Sequence, residues 1–164
     1  IKALDILVDA YSMLPAEKQS EWPLILIGDG DQRELILAKN NPNIHVLPFL
    51  QPDALRIELQ KGGVGCLTSH KDQWGVVIHE FALMGFPLLL SSGCGAATEF
   101  LISGYNGYMF KKGDVDALKL ALQYFTELTD DDLRLYSDRS IILGNRVNTD
   151  IAAASLLSTL YTYK

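Results

Sequence analysis

Short apolar runs alternate with longer segments in which apolar residues recur every three to four positions. Over residues 3–14 the positions Leu4, Leu7, Val8, Tyr11 and Leu14 gather near one helical face, and Pro15 ends the pattern. Residues 23–27 (PLILI) are wholly apolar and run into Gly28-Asp29-Gly30, which predicts a buried strand followed by a turn. The same logic predicts helices over 31–39, 53–60, 75–84 and 98–103, with Asp53 after Pro52 as an N-cap or first-turn acid. Strands are predicted over 44–47, 63–68, 87–91 and 108–110, the last entered through the turn Gly104-Tyr105-Asn106-Gly107. Asp114 can cap a helix running to about Leu128, and two further helical patterns fill 130–143 and 150–160. Strands separated by helices form βα units, so the expectation is an α/β, Rossmann-like, doubly wound parallel sheet covered on both faces. No repeat, low-complexity tract or linker interrupts residues 1–164, which predicts a single domain. The pattern opens on a helix where a doubly wound fold opens on a strand. The expected first strand is absent, and with no initial Met the chain reads as a fragment of a longer protein.

Composition narrows the function classes. A chain of 164 residues with 48% hydrophobic content can bury a sizeable core, which excludes a disordered tail or a disulfide-stapled miniprotein. The formal charge of −6, with a pI near 4.9, argues against nucleic acid as a partner. Cys66 and Cys94 lie 28 residues apart without a CxxC motif or a histidine at ligand spacing, so no metal site is expected, and two reduced thiols suit the cytoplasm. Residues 81–98 hold no charge, but Gly85, Pro87, Ser91, Ser92, Gly93 and Gly95 make them helix, strand and loop rather than a membrane span. No signal peptide is visible.

In a doubly wound sheet, ligands bind beyond the carboxyl ends of the strands, which selects the loops at 28–30, 48–51, 69–75 and 91–97. Asp72 and Glu80 lie eight positions apart on either side of Gly75. With a helix starting at Gly75, the amides of Gly75, Val76 and Val77 and the positive end of the helix dipole would face a docked diphosphate. Gly75 would let that ligand approach the backbone, and Glu80 could accept hydrogen bonds from the vicinal hydroxyls of a ribose. On spacing alone the same residues also suit an exposed loop aspartate and a surface glutamate on an amphipathic helix.

Asp72-Gln73-Trp74-Gly75-Val76-Val77-Ile78-His79-Glu80-Phe81-Ala82-Leu83-Met84-Gly85-Phe86-Pro87 resembles the Glu-x7-Glu motif of retaining GT-B glycosyltransferases, in particular the GT4-type family of capsular, lipopolysaccharide and related sugar transferases. The likeness continues along the chain. Lys2-Ala3-Leu4-Asp5 is similar to the family's Lys-Gly helix opening, Gly28-Asp29-Gly30 to its Gly-Asp-Gly turn, and Ser91-Ser92-Gly93 with Gly95 and Glu99 to its Ser-x-x-Gly-Gly loop. Gly104-Tyr105-Asn106-Gly107 and Gly113-Asp114 with Ala117-Leu118 complete six matches in family order.

The resemblance implies a donor-binding C-terminal domain of a two-domain enzyme that transfers a sugar from a nucleotide-diphosphate sugar to an acceptor hydroxyl with retention. Glu80 would bind the ribose, the amides after Gly75 the phosphates, Asp72 (one methylene shorter than the family's Glu) the donor sugar, and Lys2 the diphosphate. Gly28 would line the donor site, with the base near Pro48 and Phe49. By sequence alone Lys2 is equally a solvated lysine, and Pro48 and Phe49 a turn proline and a core aromatic. The only small-molecule partner implied is the nucleotide sugar, with no cofactor and no metal. The acceptor, a saccharide or lipid-linked saccharide, would be held by a domain outside this chain. A cytoplasmic location, with peripheral association at the membrane face, fits that family's polysaccharide and glycolipid pathways. An isolated half would bind nucleotide and transfer little sugar. Two alternatives stand beside it: a non-catalytic nucleotide-sugar-binding or regulatory module, and a nucleotide-sugar epimerase of the same fold.

Of the remaining candidates, His45, His70 and His79 are scattered, and His79 points about 100° away from Glu80 on a helix. Trp74 is expected to pack under its loop, Cys94 to fill space, and Tyr11, Tyr124, Phe125 and Tyr161 to be core or docking residues. The run Asp130–Asp132 marks a helix start.

Overall fold

The computed structural model describes residues 2–148. The helical pattern expected over 150–160, and Tyr161 with it, lies outside the described residues. Within them, α1 (Leu4–Ser12) buries Ile6, Leu7, Val8, Ala10 and Tyr11. Pro15 does more than end this helix. It is the N-cap of α2 (Ala16–Glu21), a short helix that periodicity did not predict because six residues are too few to show one. The Tyr11 hydroxyl closes this corner, lying 2.9 Å from the Gln19 carbonyl oxygen and 3.0 Å from that of Trp22.

The chain then alternates as expected: β1 (Leu24–Ile27), α3 (Arg33–Leu37), β2 (Ile44–Leu47), α4 (Pro52–Leu59), β3 (Gly65–Leu67), α5 (Val76–Leu83), β4 (Leu88–Ser91), α6 (Ala97–Phe100), β5 (Gly107–Phe110), α7 (Val115–Glu127) and α8 (Asp130–Gly144). Pro52 occupies the first turn of α4, with Asp53 as its first-turn acid. The Asp114 carboxylate caps α7 by accepting from the Ala117 amide at 2.9 Å. The run Asp130–Asp132 is the first turn of α8, capped by Thr129.

All strand pairs are parallel, but they form two sheets rather than one continuous sheet. One pairs β1 with β2, and the other runs β3-β4-β5. In a doubly wound order the first strand of the chain lies between the second and the fourth. Among the described residues no strand lies between β1 and β3, and the two flanks of that order stand as separate sheets. One hydrophobic cluster still joins them: Leu24, Leu26, Ile44 and Val46 from one sheet and Cys66, Leu89, Tyr108 and Phe110 from the other pack with α1, α7 and α8.

Burial corrects one expectation. Residues 23–27 predict a strand covered on both faces, but Ile25 and Ile27 are 37% and 36% exposed. They alternate with the buried Leu26, and α4 buries none of its residues, so the second face of β1 has little helical cover. The fully covered strand is β4, in which all four residues are buried. Of the residues expected in the core or at a docking surface, Tyr11 and Phe125 are buried, and Tyr124 is 38% exposed, with its hydroxyl 3.0 Å from that of Tyr136.

A second cluster, built on Ile78, Ala82, Leu88, Leu90, Ala97 and Phe100, fixes α5 between β4 and α6. On the far side α5 packs against α8, where the His79 ring stacks on Phe100 at 4.4 Å and its Nε2 pairs with the Gly144 carbonyl oxygen at 2.9 Å. His79 is therefore a packing residue. Both cysteines are free; Cys94 is buried, and burial pushes the Cys66 thiol up to about 12. Among the described residues no helix is long and apolar enough to cross a membrane.

Candidate functional site

The start of α1 joins the two sheets through the segments that follow β1 and β3. Leu4 donates its amide to Gln32 Oε1, in the segment after β1, while the Thr68 hydroxyl, just after β3, donates to the carbonyls of Lys2 at 2.8 Å and Ala3 at 2.9 Å. The loops after β1 and after β3 thus meet at the same helix start. Ala3, the N-cap, sits at φ 50° and ψ 49°, the left-handed region that costs an L-residue roughly 1–2 kcal/mol. That conformation is the physical reason for a glycine at this position in the Lys-Gly helix opening. Here an alanine holds it, and Thr68 pins the carbonyls on either side.

The loop from Ser69 to Gly75 is fastened to the loop after β4 by backbone bonds. The Asp72 amide donates to the Gly93 carbonyl at 2.8 Å, the Gly95 amide to the Asp72 carbonyl at 2.9 Å, and the Ala96 amide to the Trp74 carbonyl at 2.9 Å. Asp72 and Cys94 form an isolated parallel bridge. The approach is so close that a Cβ on Gly95 would overlap the Gln73 carbonyl oxygen, and one on Gly93 those of Ser69 and His70. The sequence singled out these glycines as a loop motif, and their role is this contact.

Asp72 is only 16% exposed at its side chain, and its Oδ2 accepts from Lys2 Nζ at 2.6 Å. Gly75 caps α5 at φ 75°, and a Cβ there would stand 3.5 Å from the Asp72 carboxyl carbon and 3.0 Å from Ile78 Cδ1. The Ile78 amide donates to the Gly75 carbonyl at 2.9 Å. The amides of Gly75, Val76 and Val77 have no acceptor among the described residues, which leaves three N–H groups beside the helix's positive end. Glu80 is exposed one turn further along α5, and its carboxylate has no hydrogen-bond or ion-pair partner among the described residues. The structure therefore brings together a cation, the Asp72 carboxylate and a free set of amides, with Glu80 further along the same helix.

At the end of the β1–β2 sheet the Gly28 amide donates to the Leu47 carbonyl at 3.1 Å, and the Phe49 amide donates to Asp29 Oδ2 at 3.0 Å. Pro48 is exposed. Phe49, for which a core position was one reading, is 67% exposed, because Asp29 holds its backbone on the loop outside the packed cluster. Trp74 is likewise half exposed, with its ring edge-on to Phe100 at 6.2 Å, and so only partly packs under its loop. His45 and His70 are both exposed.

Sequence reasoning missed three contributors. Thr68 holds the backbone of Lys2; Arg33 donates to the Val46 carbonyl and lies 3.7 Å from Asp29; and the Ser69 hydroxyl is buried without a partner. Each follows a predicted strand or turn, but the Thr68–Lys2 and Arg33–Val46 bonds span more than ten residues, and the burial of Ser69 is no local property of the chain. No group of three His, Cys, Asp or Glu side chains among the described residues is placed to hold a metal. Two surface hollows, one between α3 and β2 and one along residues 111–116, are lined by neither Asp72, Gly75 nor Glu80.

The sequence matches the profile of the family described as glycosyl transferases group 1 over residues 1–138. No curated protein matches it. Several solved structures are similar in fold. HepE of Anabaena, solved in complex with UDP-glucose, is 22% identical at a TM-score of 0.78, covering 98% of this chain and 45% of HepE. Sucrose-phosphate synthase from Thermosynechococcus elongatus is 20% identical at 0.78, covering 99% and 42%. WaaG, a glycosyltransferase involved in lipopolysaccharide biosynthesis, is 18% identical at 0.75, covering 90% and 40%. The chain thus spans less than half the length of each of these proteins.

Two substitutions check the local geometry through denaturant midpoints. Gly95→Ala is expected to lower stability by about 1–3 kcal/mol through overpacking, and an unchanged midpoint would contradict the close approach. Ala3→Gly is expected to raise stability by about 0.5–1 kcal/mol, because relief of the left-handed alanine exceeds the added unfolded-state entropy. A loss of stability would contradict the strained N-cap.

Proposed function

The chain belongs to the glycosyl transferases group 1 family, and from that premise we propose that it is the donor-binding half of a retaining, GT-B-type glycosyltransferase. The observation that carries this reading is the cluster at the start of α5, three amides without protein acceptors and the Lys2 ammonium at Asp72, with the unpartnered Glu80 carboxylate further along the helix. Nucleotide-diphosphate sugars present chemistry to match: two phosphates, a ribose with vicinal hydroxyls, and a sugar on the β-phosphate. The fold shared with HepE, which was solved with UDP-glucose, supports the same class of donor.

In this reading the amides of Gly75, Val76 and Val77 seat the diphosphate. Lys2 and the α5 dipole stabilise the negative charge that grows on the β-phosphate as its bond to the anomeric carbon breaks. Such groups are fixed before the reaction, so little reorganisation opposes them. Glu80 accepts from the ribose hydroxyls, Asp72 from a hydroxyl of the donor sugar, and the base lies near Gly28, Pro48 and Phe49. The exposed Phe49 ring offers a stacking surface for that base. The acceptor, a saccharide or lipid-linked saccharide, is bound by a part of the enzyme outside these 164 residues, at the cytoplasmic membrane face. Coverage of 40–45% of HepE, sucrose-phosphate synthase and WaaG supports a half-enzyme reading.

Calorimetric titration of the chain with UDP, GDP and their sugars tests the assignment. Glu80→Ala is expected to weaken nucleotide affinity about 10- to 150-fold, the cost of losing hydrogen bonds to a charged group. An unchanged affinity would remove Glu80 from the ribose site.

A further inference from the structure

Most lysine ammonium groups among the described residues have a partner. Lys2, Lys18, Lys39 and Lys61 form ion pairs with Asp72, Glu21, Asp9 and Glu58, and Lys119 bonds the Gln123 side chain at 2.8 Å. Lys71, Lys111 and Lys112 are the exceptions. Each is exposed, and none of their ammonium groups has a hydrogen-bond or ion-pair partner among the described residues. These three lysines leave loops that lie against one another. Lys71 belongs to the loop after β3, while Lys111 and Lys112 follow β5 directly. The Lys112 amide donates to the Ser92 hydroxyl at 3.1 Å, and the Ser92 amide to the Phe110 carbonyl at 2.8 Å, which ties this loop to the one after β4. A Cβ on Gly113 would stand 3.7 Å from His70 Cε1, so the same loop also meets the residue before Lys71. Across residues 69–75, 91–97 and 110–114 the only acids are Asp72 and Asp114. Both are taken: Asp72 by Lys2 at 2.6 Å, and Asp114 by the Ala117 amide at 2.9 Å. Within a chain of formal charge −6, this rim is locally positive, an arrangement that concentrates an anionic partner.

We propose that the rim formed by Lys71, Lys111 and Lys112 binds an acidic saccharide and, resting on the sugar-transfer reading, that it receives the acidic groups of the acceptor. Cations on long stems, spread over separate loops, match anionic groups spaced along a chain better than they match one phosphate. A lipid surface needs apolar side chains to insert as well as charge. Residues 69–73, 91–95 and 111–114 carry no exposed large hydrophobic side chain, and Trp74 rests edge-on against Phe100 with ring centroids 6.2 Å apart. The negative net charge opposes nucleic acid. Lys71 also directly precedes Asp72, so the rim adjoins the place where the donor sugar is read and an acceptor must arrive. The part of the enzyme outside these residues holds the body of the acceptor, and this rim holds its charge. Binding here is charge complementarity alone, with no bond made or broken.

The test is titration of the chain with oligogalacturonate and with sulfated dextran oligomers, using maltohexaose as the neutral control, followed by calorimetry and amide chemical shifts. Wild type is expected to bind both acidic oligomers and not the neutral one, more weakly as sodium chloride is added. The amides of His70, Lys71, Lys111 and Lys112 should shift. Combining Lys71→Gln, Lys111→Gln and Lys112→Gln is expected to weaken binding about 10- to 100-fold. Combining Lys18→Gln, Lys39→Gln and Lys61→Gln removes the same charge elsewhere and is expected to change affinity by less than about 3-fold. Thermal melting verifies that both triple variants keep the fold. Equal losses in the two would overturn the proposal, because the attraction would then belong to net charge. So would an absence of binding to either acidic oligomer at low salt, or a preference for vesicles of equal parts phosphatidylcholine and phosphatidylglycerol. Titration with UDP separates this surface from the donor site. If wild type binds UDP and no acidic oligomer, the rim proposal falls and the donor reading stands. If it binds acidic oligomers through the three lysines and no UDP, the saccharide surface stands and its acceptor role falls with the donor reading.

Discussion

Three backbone hydrogen bonds join the loop after β3 to the loop after β4, and the candidate site is positioned from them. They run between residues 72–74 and 93–96, where glycines allow one main chain to lie directly against the other. Each bond contributes only about 0.5–1.5 kcal/mol net. Their larger effect is geometric, because they fix the Asp72 side chain against Gly75 and so set what the start of α5 presents. The Lys2–Asp72 pair built on this seam has one well-exposed partner and contributes little to stability, on the order of 0–1 kcal/mol. It matters as an arrangement of charge at a helix end.

Packing explains why the seam can be that tight. β4 is buried along its length between two hydrophobic clusters, so the loop that leaves its carboxyl end departs from a closely packed strand. α5 is clamped between Phe100 and α8, with His79 closing the contact through Gly144. Functional groups carried on the first turn of such a helix keep their places without a ligand, which is the preorganisation that charge stabilisation needs. The β1–β2 pair is less enclosed. Its outward isoleucines are partly exposed, and the helix α4 that follows it buries none of its residues.

The alternation of strands and helices was legible because apolar runs and helical periodicity are local properties of the chain. So was the location of the candidate residues in the fold, since Gly75, Glu80 and the glycines at 93 and 95 follow predicted strands at short spacing. What the sequence hid depends on contacts across many residues. The split into two sheets depends on which strands are neighbours, and an apolar run does not say that. The exposure of Ile25, Ile27 and Phe49 depends on what covers them. Lys2 and Asp72 could each be given a ligand from a motif, but their pairing spans seventy positions. Thr68 carries no motif, yet it anchors the lysine. Ala3 shows the reverse: a departure from a glycine whose cost is visible only once φ is known.

The central claim, that the start of α5 seats a diphosphate, is tested most directly by amide chemical shifts of the isotopically labelled chain during a titration with UDP. The account predicts that the Gly75, Val76 and Val77 amides, with Asp72 beside them, shift most and saturate together, followed by residues near Pro48 and Phe49. Shifts confined to other surfaces, such as the loop at 111–116, with those three amides unmoved at saturation, would contradict it.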